Sequence, residues 1–318
     1  DWRITFAIRL TGMGSRISSK SWGCSRKEHF MKLENERYEV TFVEEGGEIY
    51  SFTDKQTGIQ YMWQGDEEHW GGKNPSLFPI VGNTYSGTYE IDGKRYAMKN
   101  HGLIRYAKLT CTKQDERQVV FELHSDEETK RQYPFDFHYA IPYTLENNTL
   151  TVRYDIRNDG DADMPFSFGL HPGFNCPLTA DEKFTDYHLH FSNPEYLRQM
   201  IMDRDKIRPP YIETSSEAVQ DIPLTYDWIQ SQATIIYKDI RSAYVSLMGK
   251  EHGVRVSLIG YPLLAIWTAK TGAPFLCIEP WMGHADFHDV KEDFYHREGT
   301  MILSSGNSFT TSYTIEVF

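Results

Sequence analysis

The sequence predicts an all-β fold, an antiparallel sandwich, on three observations. Short runs of alternating apolar and polar residues recur along the chain, the period of two that marks half-buried strands. Turn pairs such as Asp92-Gly93 and Asn147-Asn148 sit between them, as two-residue hairpins require. Helical periodicity is nearly absent, apart from short turns expected near 193–201 and 290–296.

Taken in order, the first 30 residues stand apart. They carry six Lys and Arg against Asp1 and Glu28, +4 in all, so the net charge of −12 becomes −16 for the remainder. They lack the apolar segment and small-residue cleavage site of a secretory signal. They are expected to be a basic extension, upstream or non-native, ahead of a single domain over 31–318. Strands are then expected over Tyr38 to Val43, from Ile49 after Gly46-Gly47, and in YEIDGKRYAM on both sides of Asp92-Gly93. VVFELH and YAIPYTLENNTLTVRYDI continue the meander. ATIIYKDI, SAYVSLM, VRVSLIG, LLAIWTA, FLCIEP and FTTSYTIEVF complete it. No short internal repeat is present, which disfavours a propeller.

Composition narrows the function. The chain has 318 residues, 40% of them hydrophobic and 14% aromatic, which fits a folded protein with a large core. No apolar run approaches a membrane span. The acidic balance argues against nucleic acid, whose phosphates need concentrated Lys and Arg. It suits a small, weakly charged ligand. Cys24, Cys111, Cys176 and Cys277 are scattered without ligand spacing and read as free thiols in a reducing, cytoplasmic setting.

Two segments offer proton-handling groups. In FSFGLHPGFN, Met164, Phe166, Phe168 and Leu170 share one parity, and Ser167, Gly169 and His171 share the other. Pro172-Gly173 is expected to stop this strand. A structural histidine at a strand end has the same appearance, so His171 needs a partner. FLCIEPW at 275–281 supplies one: Phe275, Cys277, Glu279 and Trp281 share a face, so one carboxylate sits among apolar neighbours. Burial there raises a carboxyl pKa toward the range useful for proton transfer. Trp267 and Trp281 offer flat apolar surfaces for a sugar's C–H groups. KNHGLIRY adds His101 and Arg105 just after a hairpin, where functional loops collect. LFPIVGNTYSG is weak alone.

These segments in this order, from FPIVGN through NHGLIR, FSFGLHPGFN and APFLCIEPWMGHAD to YTIEVF, resemble the aldose 1-epimerase (galactose mutarotase-like) family, in its shorter bacterial branch. The match covers roughly 31 to 318. The resemblance implies a β-supersandwich and a sugar cleft on one sheet. It implies His171 and Glu279 as the catalytic pair and His101 as a substrate contact. It also implies anomer interconversion without metal or other cofactor: Glu279 as base and His171 as acid on opposite sides of the ring. Asn83 stands where the family usually has arginine, and Leu103-Ile104 follow NHG where an aromatic is common. Arg105 is retained, and in hexose-6-phosphate mutarotase relatives an arginine here helps to hold phosphate. Asp286 and Asp227 are candidates for a further sugar contact. The expected partner is an aldohexose or its phosphate, bound by a monomer or homodimer, with no nucleic acid and no membrane.

Three rivals remain. His284, Asp286 and His288 would share a face of an extended segment and suggest a metal site. A carbohydrate-binding or regulatory protein would keep the cleft without turnover. A glycoside hydrolase would need two flanking carboxylates, and only one is well placed.

Overall fold

A computed structural model describes residues 31–203, 206–269, 272–287 and 293–318, with side chains outside 202–211. The expected N-terminal extension lies outside the described residues. Alternation builds the strands as the sequence implies: Thr149–Asn158 buries Leu150, Val152, Tyr154 and Ile156 and turns the residues between outward. It pairs with Phe137–Glu146 through a tight turn in which Asn147 has φ 54. In the Thr88–Ile91 and Lys94–Ala97 hairpin, Asp92 and Gly93 have φ 50 and 74, the positive pair that a type I′ turn requires.

Among the described residues every strand ladder is antiparallel, and two large sheets dominate. One has nine strands; its centre runs Gly253–Ser257, Ser308–Val317, Thr149–Asn158 and Phe137–Glu146. The other has eight; its centre runs Ile235–Lys238, Leu263–Trp267, Phe275–Trp281 and Gly169–Leu170, ending on Ser76–Leu77. Aromatic contacts join them, among them Phe78 with Phe137 and Tyr154 with Phe168. Buried tyrosines of the nine-stranded sheet reach across with their hydroxyls. Tyr139 bonds Ser76 Oγ at 2.8 Å and Tyr313 bonds Asn74 Oδ1 at 3.0 Å. A buried hydroxyl without a partner is costly, so these bonds fix where the segment around Asn74 lies.

Two sequence expectations need correction. The segment near 193–201 is extended, within strands His188–Glu195 and Arg198–Asp203. A short helix forms instead at Glu127–Gln132, where Asp126 accepts the N–H groups of Glu128 and Thr129. Near 290–296, the expected short turn is present in the described part, as the 3-10 turn Phe294–His296. Finally, Pro172-Gly173 does not end the pairing, since Gly173–Asn175 continues along the same neighbouring strand.

Candidate active site

The register of that pairing brings His171 and Glu279 together. Gly169 lies opposite Trp281 and Gly173 opposite Cys277, so His171, midway, faces Glu279. Backbone bonds fall on the even residues: Met282 N–H donates to the Phe168 carbonyl and Ile278 N–H to the Pro172 carbonyl. His171 and Glu279 therefore form a non-hydrogen-bonded pair, the kind whose side chains stand closest. Between the two bonds, Pro280 has no N–H for Leu170. The indole N–H of Trp281 supplies the bond, donating to the Leu170 carbonyl at 3.1 Å. On the other side, His171 N–H donates to the Pro75 carbonyl at 3.0 Å, next to the residues held by Tyr139 and Tyr313.

His171 Nε2 stands 3.5 Å from Glu279 Oε2. That is adjacency, not the arrangement on opposite sides of a sugar ring that the sequence suggested. The change comes from the cross-strand register, which sets side chains next to one another. Glu279 is 1% exposed, and neither carboxyl oxygen has a hydrogen-bond partner among the described residues. Burial pushes its carboxyl well above the usual carboxylate range, opposed by the positive charge of Arg105 and, less, by the nearby Trp281 indole, whose N–H is given to Leu170. Burial likewise holds the His171 imidazole well below its ordinary value, helped by His101 and Arg105. Both groups favour their uncharged forms.

The pair lies on a cavity of about 330 Å³ lined by Trp70, Asn83, His101, Arg105, Trp267 and Trp281 as well. A larger depression of about 720 Å³, beside Arg37 and Phe318, has no histidine in its lining. His101 has φ 65 and is fixed from both sides. Its N–H donates to the Gly82 carbonyl at 2.9 Å, and its Nδ1 accepts the Gly82 N–H at 3.0 Å. The neutral ring must then carry its proton on Nε2. Burial first, then Arg105, lowers its pKa to about 3, so it remains a neutral donor. Gly102 follows with φ +82, and a Cβ there would lie 2.1 Å from the Phe78 carbonyl oxygen. Only glycine fits.

Of the residues singled out in the sequence, the cavity gathers His171, Glu279, His101, Asn83, Arg105, Trp267 and Trp281. It leaves out Asp286, whose Oδ1 accepts from Arg297 Nε and whose Oδ2 accepts from Tyr85 N–H, both at 2.5 Å. Asp286 anchors a loop: its own N–H donates to the Asn83 carbonyl. Asp227 is exposed on the short helix Tyr226–Ile229, away from the lining residues. Of the proposed His284, Asp286 and His288 cluster, the two described members do not converge on a shared position. His284 Nδ1 donates to the Ala285 carbonyl and its Nε2 faces Glu298 at 3.8 Å, while Asp286 is committed to Arg297; His288 lies outside the described residues.

Sequence reasoning missed Trp70, whose ring stacks on His171 with centroids 4.7 Å apart. It also missed Asn100, Thr234 and Ile236 in the lining. Trp70 lies in an irregular segment where no period exists to read.

Fold and site together define a member of the aldose 1-epimerase family, and the chain belongs to it: that family's model matches residues 29–208. Among particular proteins, the chain is similar to the chromosomal LacX protein of Lactococcus lactis subsp. lactis, 30% identical over 268 residues, covering 80% of this chain and 87% of LacX. A solved galactose mutarotase related enzyme from Lactobacillus acidophilus has TM-score 0.86 and 29% identity, covering 91% of this chain and 97% of that one. A galactose mutarotase-like protein from Lactobacillus casei has TM-score 0.82 and 28% identity, covering 91% and 100%.

Proposed function

We propose that the chain is an aldose 1-epimerase that interconverts the α and β anomers of an aldohexose. The observation that carries this reading is the buried, unpartnered Glu279 carboxyl 3.5 Å from His171 on an open cavity. A buried polar group without a partner is expensive, and a sugar hydroxyl is a partner of the right kind. The ring oxygen and the anomeric hydroxyl are bonded to the same carbon, so an adjacent acid and base reach both. Glu279 takes the proton of the C1 hydroxyl while His171 gives one to the ring oxygen. The bond from C1 to the ring oxygen breaks and C1 becomes an aldehyde. Rotation about C1–C2 and closure on the other face return both protons.

Burial favours one shared proton over two charged groups. A bound sugar that donates to Glu279 and accepts from His171 stabilises the ionised arrangement, so substrate itself sets the proton's position. His101 Nε2–H is placed to hold a sugar oxygen, and Trp70, Trp267 and Trp281 cover C–H surface. This chemistry calls on no metal or cofactor. The setting in this reading is cytoplasmic.

The test is anomer exchange by NMR on fresh α-glucose and α-galactose. Acceleration that disappears in His171→Ala and Glu279→Ala supports the reading; binding without acceleration makes the chain a carbohydrate-binding protein. A second reading, an anionic sugar such as a hexose phosphate, is favoured by Arg105. Its guanidinium lines the cavity without an ion pair among the described residues, and both it and Lys99 lie against the Tyr106 ring, at 5.2 and 4.8 Å. Under that reading, Arg105→Met raises KM for the 6-phosphorylated hexose by about tenfold or more and spares the neutral sugar.

A further inference from the structure

Glu279 and His171 have a third neighbour that the epimerase chemistry does not use. Cys277 lies two residues before Glu279 on the same strand face, opposite Gly173. One ligand atom each from His171, Cys277 and Glu279 lie within 4.8 Å of one another, and all three side chains are buried. The thiol forms no disulfide among the described residues. It packs with Trp63, Ala273 and Phe275, near Trp70 and Trp267, and is not among the residues lining the cavity.

We propose that these three side chains form a closed-shell metal site for a thiophilic divalent cation, Zn²⁺ in particular, whose occupation blocks the acid–base pair. An imidazole nitrogen, a thiolate and a carboxylate form a donor set that zinc accepts, with a fourth position left for water. The spacing is near what coordination requires. Zinc bonds of about 2.0–2.1 Å to nitrogen and oxygen in a tetrahedral centre put those atoms about 3.3 Å apart, against 3.5 Å between His171 Nε2 and Glu279 Oε2. Both Glu279 oxygens are buried without partners, so no existing hydrogen bond is given up at the carboxylate.

The cavity above the pair leaves room for the water. Arg105 would repel a bare dication, but thiolate and carboxylate together cancel the charge of Zn²⁺ and the centre is neutral. Forming it releases the thiol proton, and any proton on the carboxyl, to solvent; no electrons move. The zinc then occupies the lone pairs that handle the sugar's protons, so the bound state is inactive until the metal is removed.

This inference reaches beyond the epimerase reading, and its primary readout is independent of activity. Chelator-treated protein titrated with Co²⁺, a spectroscopically visible stand-in for Zn²⁺, should bind one equivalent. It should develop a near-ultraviolet thiolate-to-cobalt absorption that added Zn²⁺ abolishes. Cys277→Ala and Cys277→Ser should both lack the band. In the anomer-exchange assay, Zn²⁺ should inhibit the native chain reversibly by chelation. Both Cys277 variants should keep metal-free turnover within a few-fold and need more than about tenfold higher Zn²⁺ for the same inhibition. The proposal is overturned if no thiolate band forms, if the band survives in either Cys277 variant, or if inhibition is unchanged in them. A chain with no epimerase activity but a Cys277-dependent cobalt band would refute the enzyme assignment and leave the metal site standing.

Discussion

A carboxyl that is 1% exposed and has no hydrogen-bond partner among its described neighbours is costly to keep, and that cost identifies Glu279. Its amide counterpart removes the ionisable group and changes little else in shape. Glu279→Gln is therefore expected to lower anomer exchange by about 10²–10⁴-fold, while thermal unfolding gives an equal or higher Tm. A fall in both activity and Tm would mark Glu279 as a structural carboxylate. The sequence exposed this residue because one charge in an apolar face breaks an otherwise uniform pattern. It misplaced Asp286, because the carboxylate's partner, Arg297, lies eleven residues on with no periodic relation to it. It gave no sign of Trp70 for the same reason: contacts made by irregular loops leave no period in the chain.

At the scale of elements, the alternation of FLCIEPW and the hairpin turns were legible, since a strand's parity follows from its geometry. The register that sets His171 against Glu279 was not. It depends on pairing between segments about a hundred residues apart, and Pro172-Gly173 suggested that pairing had ended. What carries the ladder across Pro280 is the Trp281 indole bond to Leu170. Trp281→Phe leaves that carbonyl without a donor and is expected to cost about 1–3 kcal/mol in denaturant unfolding, with a fall in kcat as His171 loses its fixed position. Gly102→Ala tests the neighbouring wall. With φ +82 and the Phe78 carbonyl oxygen 2.1 Å from an added Cβ, it should destabilise by at least about 1–3 kcal/mol and weaken sugar binding through His101.

At the scale of the whole molecule, the sandwich was legible in the succession of strands, whereas the bonds between its sheets were not. Tyrosines at alternating positions read as apolar core, and nothing local says that Tyr139 and Tyr313 reach the segment beneath His171. Acid stability is likewise a long-range property. Asp54 accepts from Arg37 Nε and Nη2 at 3.1 and 2.8 Å, and that guanidinium, with the Gln56 N–H, lowers its pKa to about 2. Because the folded value is depressed, this contribution is fully present above the usual aspartate value near 4 and is lost as pH falls through about 2. Asp54→Asn should flatten the loss of stability over that window, as followed by urea unfolding at stepped pH.

The central claim is that His171 and Glu279 act on one sugar as a joined acid and base. The most direct measurement is two-dimensional exchange NMR on α-glucose, α-galactose and their 6-phosphates with the native chain, His171→Ala, Glu279→Gln and the double variant. The account predicts exchange above the uncatalysed rate for at least one sugar, lost to a similar extent in each single variant, with little further loss in the double. Uncatalysed rates throughout, or full exchange in either single variant, would contradict it.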